Sequence, residues 1–198
     1  MSPRPVQMED HWSLAPGVDP GRARLMWFMC VGDNPQAVEL AQLGQRRLAG
    51  LAGLDLVPRD WLHMTTLIAG FADEISSGQA ETMAAEARRL LAGTPPIMVT
   101  LGRVLYHARA VMLAAQPPDA LEPVLHAVCE ATRMATGREG ELHYEPWTPP
   151  VTLAYANTAR WAGPVIEALG REVPPQQVAI HRSASCPRRP SRCGDGAW

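Results

Sequence analysis

Residues 61–68 read Trp61-Leu62-His63-Met64-Thr65-Thr66-Leu67-Ile68, and residues 149–155 read Pro149-Pro150-Val151-Thr152-Leu153-Ala154-Tyr155. Both are short apolar runs containing β-branched residues, a pattern that predicts two strands. In a strand, residues two apart share a face, so His63 and Thr65 stand side by side as an imidazole and a hydroxyl. That pair suits a phosphate: histidine moves a proton near neutral pH, and a threonine hydroxyl with nearby backbone N–H groups holds a phosphoryl oxygen. Similar His-x-Ser tripeptides occur at His11-Trp12-Ser13 and His181-Arg182-Ser183, so strand context has to decide which one matters. For His63 taken alone, the competing reading is a hydrogen-bonded histidine in a half-buried strand.

Outward from these strands the pattern is mixed. Residues 1–24, rich in Pro, Gly and charge, read as an extended arm leading into a first strand at Leu25–Val31. Asp33-Asn34-Pro35 starts a helix with Ala37, Leu40, Ala41, Leu48 and Leu51 on its apolar side, and a second helix after Ser76-Ser77 carries Ala80, Met83, Ala84, Ala87, Leu90 and Leu91. Ile97–Leu101 and Ala110–Ala114 predict an antiparallel hairpin turning at Tyr106–Arg109. Leu121, Val124, Leu125, Val128 and Ala131 mark a third helix, Trp161–Leu169 a short fourth, and Gln177–Ile180 the beginning of another strand. Strand-helix-strand elements in both halves suggest an α+β pseudo-repeat.

The chain has 198 residues, with 46% hydrophobic and 19% charged, enough to build a core without disulfide or metal staples. No apolar run approaches the ~20 residues of a membrane span and the N-terminus lacks the hydrophobic centre of a signal peptide, so a cytoplasmic protein is expected. Cys30 and Cys129 lie in apolar stretches, which predicts buried thiols rather than structural disulfides. All 18 basic residues are arginine, a codon-bias pattern from which no nucleic-acid binding is inferred. Walker A, Rossmann glycine and Gly-x-Ser-x-Gly patterns are absent from the sequence, and His181, Cys186 and Cys193 fit no common zinc module.

Trp61-Leu62-His63-Met64-Thr65, followed 87 positions after the histidine by the run beginning at Pro150, resembles the paired motifs of the 2H phosphoesterase superfamily, in its 2'-5' RNA ligase-like branch. The resemblance extends over most of residues 10–180 and includes Asp10-His11-Trp12, Leu54-Asp55-Leu56-Val57-Pro58 and the run Val151-Thr152-Leu153-Ala154-Tyr155-Ala156-Asn157. It implies an α+β, two-lobed pseudo-symmetric fold with antiparallel sheets lining a central cleft, occupying residues 25–180. It also implies acid–base hydrolysis of a 2',3'-cyclic phosphate or a 2'-5' phosphodiester without a metal or other cofactor. RNA ends or small phosphodiester nucleotides are then the partners of a monomer. By the resemblance, His63, Thr65 and Thr152 are the catalytic set, and Trp61, Trp147 and Tyr155 the substrate-binding candidates beside the motifs.

The second motif departs from the family pattern at its first position, where Pro150 stands for the histidine. Proline transfers no proton and has no backbone N–H, which confines it to a sheet edge or a strand start. Impaired turnover is expected, and a non-catalytic nucleotide- or RNA-end-binding relic is the competing reading. His143 and Tyr144, just upstream, are alternative proton sources or a solvent-exposed loop. From His181 the composition turns basic and loses every aliphatic residue larger than alanine, which predicts a disordered tail over 181–198 and a sheet edge short of a partner. The same composition fits an RNA-contacting tail or a shifted reading frame.

Overall fold

Asn34 starts the first helix as the sequence predicts: its side chain accepts from the Ala37 N–H, and Pro35 opens the helix with a preset φ. Ser76 caps the second with Gln79 answering reciprocally in a capping box. In the computed structural model the described residues are 4–13, 22–142, 147–180 and 184–185. The elements are β1 (Gln7–Met8), β2 (Arg24–Cys30), α1 (Pro35–Leu48), β3 (Leu54–Leu56), β4 (His63–Phe71), α2 (Ser77–Leu90) and β5 (Ile97–His107). Then follow β6 (Ala110–Gln116), α3 (Glu122–Thr136), β7 (Pro150–Ala156), β8 (Arg160–Trp161), α4 (Gly163–Leu169), β9 (Glu172–Ile180) and β10 (Ala184–Ser185).

One antiparallel sheet runs β10-β2-β4-β7-β6-β5-β9, with β3 also paired to β7, and β1 and β8 form a separate two-stranded ribbon. The sheet has a seam. β2 and β4 pair along their length, as do β5, β6 and β9, whereas β4 and β7 share the single pair Met64 and Val151. On one side of the seam, α2 and α3 cover β2 and β4 through Leu25, Trp27, Leu67, Ala69, Met83, Ala87, Val128 and Ala131. On the other, α1 and α4 cover β5, β6, β7 and β9 in the larger core.

Each lobe therefore borrows a helix from the other half of the chain. α1 follows β2 yet packs on β7 and β9, and α3 follows β6 yet packs on β4. This exchange gives the predicted two-lobed α+β architecture its pseudo-symmetry. A buried hydrogen bond ties α3 to its borrowed lobe: the Trp27 indole donates to Thr132 Oγ1 at 2.9 Å, and that hydroxyl donates to the Val128 carbonyl at 2.7 Å. Beyond α3, Gly137 takes a left-handed φ of 71° and turns the chain back, and Glu141 pairs with Ile68 on β4.

Several local expectations need correction. The helix expected over Trp161–Leu169 begins at Gly163, because Arg160–Trp161 pairs with β1 and leaves Trp161 66% exposed. The strand expected over residues 61–68 begins at His63, because Arg59–Trp61 forms a 3₁₀ turn after Pro58, and Leu54–Leu56 forms a separate short strand before it. Gln177–Ile180 is the end, not the beginning, of β9, whose Pro174 and Pro175 are tolerated where the strand has a neighbour on one side only. Cys30 is exposed and Cys129 half-buried, because Met29 takes the inward position at the end of β2 and Cys129 lies at the margin of the α3 stripe. Ala184–Ser185 pairs with Phe28 and Met29; the rest of 181–198, including His181, Cys186 and Cys193, lies outside the described residues.

Replacing Thr132 by Val keeps the shape of the side chain but leaves the buried Trp27 N–H unpaired. The expected loss is about 1–3 kcal/mol in chemical denaturation. An unchanged midpoint would show that this bond does not hold α3 to the first lobe.

Candidate active site

The seam builds the site. Met64 and Val151 are both fully buried in the larger core, so their neighbours on each strand point to the opposite, open face. Continuing the antiparallel register by one residue sets His63 across from Thr152 and Thr65 across from Pro150. His63, Thr65 and Thr152 are half-buried, and Pro150 is buried. As the first residue of β7, Pro150 occupies the strand-start position its missing N–H requires.

His63 is held in one tautomer. Its Nδ1 lies 2.6 Å from the Trp61 carbonyl oxygen, and a carbonyl only accepts, so Nδ1 carries a proton and Nε2 holds the lone pair of the neutral ring. Phe28, from β2, packs against the imidazole with ring centroids 4.3 Å apart and planes at 67°. Burial pushes the His63 pKa below its ordinary 6.5, with the Trp61 hydrogen bond opposing in part. At neutral pH the ring is a base whose available nitrogen is Nε2.

Thr152 sits at an irregularity. Between Val111 and Met112 the pairing of β6 with β7 shifts, because Leu153 is an extra residue between Thr152 and Ala154. The Leu153 carbonyl is satisfied by the Val57 N–H at 2.9 Å and by Gln45 Nε2 of α1 at 3.0 Å. The shift turns Tyr155 to the same side as Thr152. Burial raises the Tyr155 pKa above its ordinary value, against a smaller lowering by Thr152, so the phenol stays protonated at neutral pH.

Trp61 serves His63 through its backbone, while its side chain packs on the larger core. Trp147 donates its indole N–H to the Thr66 carbonyl at 3.2 Å, bridging the gap where β4 parts from β7. His143 and Tyr144 lie outside the described residues.

Sequence reasoning passed over His11 as a site residue. Its ring stacks on Tyr155 at 4.0 Å, and its backbone N–H donates to the Ala156 carbonyl at 2.7 Å. The signal available was its place in Asp10-His11-Trp12. Among the described residues no group of three or more His, Cys, Asp or Glu is disposed to hold a metal ion, and no helix is long and apolar enough to cross a membrane.

A two-lobed antiparallel sheet whose central strands carry a His-x-Thr and a second hydroxyl onto one open face is the scaffold of the 2H phosphoesterases. Residues 35–185 match the 2'-5' RNA ligase superfamily, and the chain belongs to that family. Comparison with curated proteins gave no match. Among solved structures, the PDE domain of MHV ns2 aligns with a TM-score of 0.62 at 10% identity, over 83% of this chain and 97% of that one. TT0787 of Thermus thermophilus gives 0.55 at 18% identity, over 79% and 81%. E. coli LigT complexed with 3'-AMP gives 0.52 at 17%, over 80% and 83%. At these identities the likeness is one of fold.

The depressed pKa of His63 has a consequence for stability. The unfolded chain takes up a proton near pH 6.5 that the folded ring resists, so this contribution is complete above that pH and is lost as pH falls through the lower folded-state value. Denaturation midpoints measured between pH 8 and pH 5 should therefore fall more steeply for the native chain than for His63→Gln. Parallel curves would show that the imidazole is not held neutral by burial.

Proposed function

We propose that this protein is a 2'-5' RNA ligase-like 2H phosphoesterase acting on 2',3'-cyclic phosphate or 2'-5' phosphodiester bonds of RNA or nucleotides, with turnover impaired by Pro150. The observation carrying this reading is the Met64–Val151 register, which brings His63, Thr65 and Thr152 to one face. In the hydrolytic direction His63 Nε2 takes a proton from water as the water oxygen bonds to phosphorus. The threonine hydroxyls hold the non-bridging oxygens, and one P–O ester bond breaks. The departing oxygen needs a proton, and in the family pattern the second histidine supplies it. At that place this chain has Pro150, so the leaving group takes its proton from solvent.

Absence of one positioned acid or base typically costs 10²- to 10⁴-fold in rate. The same substitution favours a second reading, a cleft that binds nucleotides or RNA ends without turnover. The LigT complex with 3'-AMP supports a nucleotide-sized ligand for this fold in either case.

Hydrolysis of a short RNA ending in a 2',3'-cyclic phosphate tests both. Pro150→His should raise kcat/KM by roughly 10²- to 10⁴-fold, and His63→Ala in that background should remove the gain. Native protein that binds the RNA end without turnover, beside an active Pro150→His, identifies the relic. Inactivity of both proteins, with folding verified, overturns the phosphoesterase assignment.

A further inference from the structure

The row of the sheet that holds Pro150 runs on past it in both directions. Pro150 pairs with Ala114 of β6, and the register that sets Thr65 across from Pro150 carries the row onto β4. On the other side it reaches β5, where the pairing with β6 slips. Leu101 faces Ala115 and Val104 faces Leu113, so Gly102 and Arg103 together oppose Ala114. Two residues against one make a β-bulge, a device that re-aims a side chain.

Alternation on two strands fixes the face of Arg103. Val104 lies in the larger core, so Arg103 beside it belongs to the opposite face, that of Thr152 and Thr65. Its partner on β9, Glu172, precedes Val173 of the same core and gives the same assignment. Only glycine fits at the other bulge position, because a Cβ on Gly102 would stand 2.9 Å from Pro175 Cα. Arg103 is exposed, and among the described residues its guanidinium makes no hydrogen bond or ion pair, with Glu172 or any other. Neighbouring strands lie about 4.8 Å apart, which puts β5 roughly 10 Å from β7. An extended arginine side chain spans most of that interval, and Ala114 between them raises only a methyl group. The guanidinium therefore reaches the space above Pro150, the volume that an imidazole at that position would fill.

We infer that Arg103 is a phosphate contact on the Pro150 side of the site, facing the phosphoryl charge where the second motif has no histidine. Its planar fork of N–H donors suits two phosphate oxygens at once. The guanidinium stays protonated and gives up no proton, so the departing oxygen still takes its proton from solvent. Arg103 thus replaces the charge of the missing group but not its acid chemistry. The inference rests on the proposed phosphate site and adds to it a residue from a strand that carries neither motif.

Calorimetric titration of the full chain with inorganic phosphate tests this without requiring turnover. Arg103→Met, which keeps an unbranched stem, should weaken binding about 10- to 100-fold with the melting temperature unchanged. Arg103→Lys, a point charge without the fork, should recover part of that loss. Arg171→Met, which removes another exposed charge just before β9, should change the affinity less than about 3-fold. Unchanged affinity in Arg103→Met overturns the contact and leaves the phosphate site standing. Equal losses in Arg103→Met and Arg171→Met also overturn it, since they report only the general field of the protein. Phosphate that binds His63→Gln as tightly as the native chain, or that the native chain does not bind, overturns the phosphate site and the contact with it.

Discussion

The open face depends on a single backbone pairing, Met64 with Val151, the one place where the two halves of the sheet meet through β4 and β7. Both side chains are driven inward by the larger core, and strand alternation then sends the residues on either side of each to the other face. A slip of one residue would bury His63 and Thr65 and expose Met64. The hydrophobic pattern that builds the core is therefore also what presents the polar face.

The seam is kept at one pair by what happens on either side of it. Toward Ile68, β4 leaves β7 and takes Glu141 as its partner, with the Trp147 indole spanning the interval to the Thr66 carbonyl. In the other direction, Pro58 and the 3₁₀ turn lift the chain away from β7 and place the Trp61 carbonyl under His63. The carbonyl of the extra residue Leu153 is answered by Gln45 from α1 as well as by Val57, so the irregularity beside Thr152 leaves no orphaned acceptor there. The exchange of α1 and α3 between lobes ties these arrangements together, because neither half covers its own strands alone.

Most of the elements were legible in the sequence because their signals are local. Asn34-Pro35 and Ser76 announce helix starts by capping chemistry, and the α3 stripe has a clean 3.6 period. His63 and Thr65 were legible as a pair because strand parity is a rule about neighbours. What was not legible depends on partners distant in the chain. The Trp161 segment has a helical composition but is claimed by β1, more than 150 positions away in sequence. The Tyr155 orientation follows from an irregularity in the pairing with β6, and the place of His11 beside it follows from the N-terminal segment docking on β7. The exposure of Cys30 was hidden because an apolar run says nothing about which face its last residue takes.

The central claim, a phosphate position shared by both halves of the sheet, is tested most directly by a crystal structure of the protein soaked in inorganic phosphate. An ordered phosphate is expected on the open face, within hydrogen-bond distance of His63 Nε2 and of the Thr65 and Thr152 hydroxyls. Phosphate bound elsewhere with these three side chains untouched, or His63 and Thr152 turned away from a common face, would contradict it.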